Sequence, residues 1–360
     1  MSFGVYVHIP FCVRKCPYCD FYSTAVSGDI VERYVEKLCA DIRRNCPEGA
    51  GSVYFGGGTP SLLLPEQAGR IISAAAPANG AEISIEANPN SVSSEKLKGY
   101  LSAGINRISF GIQSLCGGEL EMLGRLHTAD EAENAVKLAY DVGFRNISAD
   151  IMLGVCGQNE DSLSETLARL TVLPVNHVSA YMLKIEEGTP YGKNGMRDRV
   201  PDDDTAADLY LLAAEYLENA GFYQYEISNF AQKGYECRHN LLYWLCGEYY
   251  GFGPAAHSFC DGKRYACRPD LDGYLSGGAE RITDVLQETP PDFFEQGMLK
   301  LRLSQGLCRS EIPSEQLGHF EKRFAVYERA GLMKRTADGF ALTREGFLVS
   351  NSIIVDLLEE

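Results

Sequence analysis

Three cysteines stand in one short loop, Cys12-x-x-x-Cys16-x-x-Cys19. Thiolates at that spacing can each hold one iron of a four-iron, four-sulfur cluster, a group that normally takes four cysteine ligands. Three ligands leave one iron open to a small molecule. The loop therefore points to a cofactor bound on the cluster, and to one-electron chemistry rather than electron storage. Two plainer chemistries compete. A structural zinc site usually shows two Cys-x-x-Cys knuckles, or a knuckle with paired histidines; here Cys16 and Cys19 form one knuckle, with Cys12 ahead of it and no second knuckle. A disulfide would suit an exported protein, yet the start, Met1-Ser2-Phe3-Gly4-Val5-Tyr6, has no basic stretch, apolar run or cleavage site. The other nine cysteines (Cys39, Cys46, Cys116, Cys156, Cys237, Cys246, Cys260, Cys267 and Cys308) lack knuckle spacing. They read as small core residues of a protein in a reducing cytoplasm.

The elements around the loop must position it. Short apolar runs predict strands at Gly4–Ile9, Ser52–Phe55, Glu82–Glu86, Arg107–Phe110, Asn146–Met152 and His177–Met182. Amphipathic stretches predict helices at Asp29–Arg44, Pro65–Ala75, Ser94–Ala103, Ala129–Val142 and Asp161–Leu170, and a longer one at Asp203–Ala220. Such alternation means right-handed βαβ units and a parallel sheet. Six strands fall short of a closed eight-stranded barrel, so the expected fold is α/β, an open partial (β/α)6 barrel.

Reactive groups in such sheets gather at the carboxyl ends of the strands. The cysteine loop follows the first strand and Gly56-Gly57-Gly58-Thr59 the second; Glu86 ends the third, Gln113 follows the fourth, and Asp150 lies in the fifth. Ser84 and Glu86 alternate with Ile83 and Ile85, and Ser148 and Asp150 with Ile147 and Ala149. Two acids thus project to the face opposite the isoleucines. Three glycines in a row let a backbone approach a ligand closely, with free N–H groups pointing at it.

Past about residue 266 the pattern changes. Pro290-Pro291 breaks it, and Asp292 is placed to cap a helix running to Arg302. Helices follow at Glu311–Leu317 and Phe320–Ala330, then a hairpin from Leu332–Arg335 and Phe340–Leu342, and a closing helix at Arg344–Leu358. We expect two domains, 1–265 and 266–360, the second mostly helical and winged-helix-like. The net charge of −16 argues against nucleic-acid binding, and no apolar run is long enough to cross a bilayer.

Taken together, the cysteine loop and the glycine run resemble the radical S-adenosylmethionine (SAM) superfamily. There, SAM chelates the open iron and the glycine loop contacts its amino group. Within it, Tyr6-x-His8-Ile9-Pro10-Phe11-Cys12, Gly56–Pro60, Glu86-Ala87-Asn88-Pro89, Asn106-Arg107-x-Ser109-x-Gly111-x-Gln113-Ser114, Gly124-Arg125-x-His127 and Asp150 look like the oxygen-independent coproporphyrinogen III oxidase family. The resemblance runs nearly end to end. It implies that Cys12, Cys16 and Cys19 hold the cluster. It also implies SAM contacts from Tyr6, Gly56, Gly57, Gly58, Thr59, Glu86, Gln113, Arg125 and Asp150.

Two branches of that family compete. The oxidase loop carries one more cysteine, where this chain has Phe21, and a longer arm than the eleven residues before Cys12. Both features, and His239-Asn240-x-x-Tyr243-Trp244, look like the HemW-type haem chaperones. The resemblance then implies haem as cargo, haem-accepting apoproteins as partners, some of them at the membrane, a reductant for the cluster, and a cytoplasmic location. The alternative is the oxidase itself, which uses a 5′-deoxyadenosyl radical to decarboxylate coproporphyrinogen. His239 is the expected haem contact, because imidazole suits haem iron; His257 and Cys237 are alternatives. One departure stands out. The family's Tyr-Gly-Leu-Pro-Gly-Gln-Thr run is here Leu153-Gly154-Val155-Cys156-Gly157-Gln158-Asn159, without its aromatic hydroxyl and its proline.

Overall fold

The computed structural model describes residues 3–25, 29–277 and 283–359. Six parallel strands lie side by side in chain order: β1 (Gly4–Ile9), β2 (Ser52–Gly57), β3 (Glu82–Ala87), β4 (Arg107–Gln113), β5 (Asn146–Leu153) and β6 (His177–Met182). Helices α1 (Ile30–Asn45), α2 (Pro65–Ala75), α3 (Ser94–Ser102), α4 (Ala129–Val142) and α5 (Glu160–Thr171) fall between them. Side-chain caps start three of these helices where the sequence suggests. The Ser93 and Asn159 side chains accept the N–H of Lys96 and Ser162, and Thr128 and Glu131 form a reciprocal capping box. On α4, Ala132, Ala135, Val136 and Ala139 form the buried stripe that packs on the sheet. Along β5, Ile147, Ala149 and Ile151 are fully buried, while Ser148 and Asp150 take the other face. That alternation gives the sheet one face for packing and one for chemistry.

The sheet reaches further than six strands. Tyr249–Phe252 (β7) pairs parallel with β1, and His257–Cys260 (β8), Lys263–Cys267 (β9) and Thr283–Gln287 (β10) continue from it antiparallel. Two short strands, Asn229–Ala231 and Tyr223–Gln224, extend the β6 edge, making twelve strands among the described residues. The boundary expected near residue 265 falls inside β9, so the sheet passes through it.

Beyond Pro291, Asp292 does cap its helix, accepting the Glu295 N–H at 2.8 Å, and the helix spans Phe293–Lys300. The two helices predicted over 311–330 are one, Ser314–Arg329; a Cβ at Gly318 inside it would meet nothing, and one exposed helical glycine costs only about 1 kcal/mol. The hairpin is present as Met333–Arg335 and Gly339–Leu342, with Leu307–Cys308 as a third strand. The closing helix is divided at Val349 into Arg344–Leu348 and Ser350–Leu358. No helix among the described residues is long and apolar enough to cross a membrane.

Candidate cofactor site

The cysteine loop leaves the carboxyl end of β1, and Cys12, Cys16 and Cys19 are half-buried free thiols. Among the described residues no three His, Cys, Asp or Glu side chains converge as a single ion would need. A four-iron cluster asks something else, one thiolate per iron around a larger group. The surroundings suit such a group. Thr59 Oγ1 lies 3.5 Å from Cys12 Sγ, and Arg125 Nη1 donates to Cys16 Sγ at 3.6 Å. Donors aimed at sulfur stabilise the charge that sulfur carries in a cluster and raise its potential.

Asn88 joins these two contacts, a role the sequence left unassigned. Its Nδ2 donates to Thr59 Oγ1 at 3.1 Å and its Oδ1 accepts from Arg125 Nη2 at 2.6 Å. One amide thus orients the donors to both Cys12 and Cys16. Its place in Glu86-Ala87-Asn88-Pro89, two residues past Glu86 on the same face, is the signal that marks it. Replacing Asn88 with alanine should leave the iron content of the reconstituted protein unchanged. It should move the cluster's reduction potential negative, by an amount on the order of tens of millivolts, because the donors lose their alignment. Redox titration followed by electron paramagnetic resonance would show it.

The glycine run behaves differently from expectation. Its N–H groups are engaged within the protein: Gly57 donates to the Glu86 carboxylate, Gly58 to Ile9 O at 2.8 Å, and Thr59 to Phe11 O at 2.8 Å. The run is therefore a clamp on the cysteine strand, with these three N–H groups already taken within the protein. An ammonium group, which donates, would need carbonyl acceptors here instead. Glycine is required for closeness: a Cβ on Gly58 would stand 2.7 Å from Phe11 O, and one on Gly57, whose φ is +108°, 2.5 Å from the His8 ring.

Along the chemical face, Glu86 pairs in register with Ser109, and Gly111 with Asp150. Tyr54 Oη donates to Glu86 Oε1 at 2.9 Å, and Ser109 Oγ to Asp150 Oδ1 at 2.9 Å. Burial, and then the charge of Asp150, push the Glu86 carboxyl up to about 7; burial also raises Asp150. Both acids are poised for a ligand that donates hydrogen bonds or carries positive charge. Arg125 already uses Nη2 on Asn88 and on Gly111 O at 2.7 Å, and its buried Nε has no partner. The Nε–H is the donor it has left to offer a carboxylate. Gln113 takes a left-handed φ of 68° at a bulge in β4, and its Nε2 would sit 2.9 Å from a Cβ on Gly111. Tyr6 donates to His8 Nδ1 at 3.1 Å, one strand from Tyr54.

The departure at 153–159 is held without its proline. Gln158 Oε1 accepts Gly154 N at 2.7 Å, and its Nε2 donates to Met152 O and to buried Glu119, both at 3.1 Å. Glu119 also takes Ser114 Oγ at 2.7 Å, so one carboxylate ties the loops after β4 and β5 together.

His239 does not join this group. It lies beside Ser52 and Gly4, the first residues of β2 and β1, at the far end of the strands from the cysteines. It is 1% exposed, with Nδ1 2.8 Å from Ser52 Oγ and Nε2 2.8 Å from Tyr243 Oη. Burial, with Arg107 nearby, pushes its pKa down to about 3. As placed, it has no nitrogen to give a haem iron. Cys237 is fully buried beside Glu82. Of the six histidines only His257, at the start of β8, is exposed.

A strand-end cysteine triplet, a glycine clamp and two poised carboxylates on an open parallel sheet define the radical SAM class, and the sequence profile of the Radical SAM superfamily matches residues 6–170. Similarity to particular proteins runs further. The chain is 34% identical to heme chaperone HemW of Haemophilus influenzae, over 99% of this chain and 98% of that one. It is 35% identical to heme chaperone HemW of Escherichia coli, with the same coverage. The chain belongs to the HemW family. Its fold is that of the coproporphyrinogen III oxidase HemN from E. coli, with a TM-score of 0.80 over 99% of this chain and 90% of that one at 19% identity.

Proposed function

We propose that the protein is a haem chaperone of the cytoplasm. It takes up haem as cargo, hands it to haem-accepting apoproteins, including acceptors at the membrane, and carries a four-iron, four-sulfur cluster with SAM. The observation that carries this reading is kinship at 34% and 35% identity, over almost the whole chain, with proteins named for that task. The oxidase shares the fold at 19%. Phe21 agrees: where an oxidase-type loop would present another thiol, this chain presents a phenyl ring, 68% exposed. An exposed ring beside the cluster loop is a surface on which a flat macrocycle stacks.

When bound, the cluster and SAM supply one-electron reductive chemistry, drawing on an external donor. The chain's own part is to hold and orient. Cys12, Cys16 and Cys19 bind iron. The glycine run, from Gly56 to Thr59, turns carbonyls to the SAM amino group. Arg125 offers its free Nε–H to the carboxylate, and Glu86 and Asp150, with Gln113 and Tyr6, line the remainder. His257, being exposed, is the histidine we assign to haem iron.

The test compares haem titration and coproporphyrinogen conversion on the same anaerobically reconstituted protein. A haem complex with a Soret band that shifts in His257→Ala is expected, with little or no protoporphyrinogen formed. Robust conversion dependent on SAM and an electron donor would establish the oxidase reading in its place.

A further inference from the structure

The helix Arg238–Trp244 carries the His239-Asn240-x-x-Tyr243-Trp244 signature, and haem binding at His257 leaves that signature without a task. Its setting supplies one. Glu82, the first residue of β3, accepts the backbone N–H of Arg238 and of His239, each at 3.2 Å, and is itself 3% exposed. The helix is thereby fastened beneath the sheet with the imidazole pushed between the strand starts. Gly4 makes room: a Cβ there would lie 3.0 Å from the His239 ring and 2.7 Å from Leu242. With both nitrogens engaged by Ser52 and Tyr243, the ring is fixed in orientation.

That fixed ring is a platform. It stacks on Tyr54 with centroids 5.2 Å apart and planes 22° from parallel, and on Tyr6 at 6.5 Å and 29°. Tyr54 in turn gives its hydroxyl to Glu86 at 2.9 Å. A phenol has two soft torsions, and a stacked neighbour restricts both, so the imidazole decides where the hydroxyl points. We propose that His239 is a positioning residue for the SAM site: its stack on Tyr54 aims the hydroxyl that holds the Glu86 carboxylate. The proposal rests on the reading that Glu86 contacts SAM. It moves the signature's role from the cargo to the cofactor, and explains why a histidine beneath the sheet, out of reach of haem, should need two hydrogen bonds and three ring contacts.

Two variants of the reconstituted holoprotein test it, with SAM affinity by calorimetry and haem binding by the Soret band. Tyr54→Phe keeps the stack and removes the hydroxyl; SAM should bind about tenfold more weakly, as expected for one lost hydrogen bond to a charged group. His239→Gln keeps an amide for hydrogen bonding and removes the ring; SAM should weaken several-fold, with iron content and Soret band unchanged. In a Glu86→Gln background, Tyr54→Phe should add nothing further, because both changes act on one contact. If Glu86→Gln weakens SAM while Tyr54→Phe and His239→Gln bind it normally, the positioning role is wrong and the SAM placement stands. Should Glu86→Gln itself leave affinity unchanged, the SAM placement fails and takes the positioning role with it. A Soret band lost or shifted in His239→Gln, with SAM affinity intact, would return His239 to the haem. If His239→Gln does not fold, the smaller His239→Asn takes its place with the same expected and overturning outcomes.

Discussion

A variant with Cys12, Cys16 and Cys19 all changed to alanine is expected to come out of anaerobic reconstitution without iron and without the broad visible absorbance of an iron–sulfur cluster. Most of the other cysteines are not placed to replace them. Cys39, Cys237 and Cys267 are buried in the core, and Cys308 is exposed in the carboxyl-terminal unit, away from the sheet's chemical end. Burial raises the pKa of the Cys39 and Cys237 thiols, the latter to about 12, which disfavours the thiolate that iron requires. The nearest rival is Cys156. The Tyr191 phenol is close enough to both Cys156 and Cys16 to have its pKa raised by each, after the larger effect of burial. Tyr191 also packs on Tyr18 of the loop and takes Pro17 O through its backbone N–H at 3.0 Å. Single replacements therefore carry information the triple one does not. Loss of Cys12 or Cys19 should empty the site. Iron surviving loss of Cys16 would mean that Cys156, standing where the family has proline, can step in. Full four-iron content in the triple variant would place the cluster elsewhere altogether.

What the sequence discloses about this site follows from what has a period. Strand starts were legible at Gly4, Ser52, Glu82, Arg107, Asn146 and His177 because apolar alternation begins sharply there, and the observed strands begin on those residues. The strand ends ran one to three residues longer than predicted at Gly57, Ala87, Gln113 and Leu153. The extra residues include Gly56, Gly57 and Gln113, and small or polar residues with left-handed backbone at Gly57 and Gln113 do not look like strand. Glu86 and Asp150 were placed on one face by counting twos. The glycine run was recognised, but the direction of its hydrogen bonds was not, because which carbonyl lies opposite an N–H depends on the register of β1 against β2. Long-range packing was the least legible. Nothing in the local pattern of His239 tells a buried platform from a metal ligand, since both want an imidazole with a fixed ring. The antiparallel strands beyond β7 were missed for a related reason: β10 has an exposed, non-alternating pattern that is strand only because β9 is there to pair with.

The pH dependence of SAM binding gives the sharpest test of the carboxylates. The Glu86 carboxyl is moved from 4.5 to about 7, with burial the larger cause and Asp150 the next. An acid whose folded pKa is raised stabilises the fold at pH below its unfolded value, and that contribution is lost as pH rises through the folded value. The protein without SAM should therefore lose stability between about pH 4.5 and pH 7 on account of this group. SAM acts in the opposite sense. It is cationic at its sulfonium and ammonium, and its hydroxyls donate, so it favours the ionised carboxylate and draws the pKa down. Affinity should accordingly rise with pH through about 7 and level off above. Because Glu86 feels Asp150, the curve belongs to the pair and is broader than one proton would give. Glu86→Gln should flatten it. The same change should weaken binding at pH 8 by about 1.5–3 kcal/mol, the range for a hydrogen bond to a charged group, and raise the stability of the SAM-free protein at that pH. The two effects have opposite sign in one variant, which no general loss of structure reproduces. Calorimetric affinity constant between pH 6 and 8.5, and unchanged in Glu86→Gln, would remove Glu86 from the cofactor's neighbourhood. A flat profile confined to Asp150→Asn would instead make Asp150 the titrating partner, with Glu86 held ionised by the Tyr54 and Gly57 donors around it.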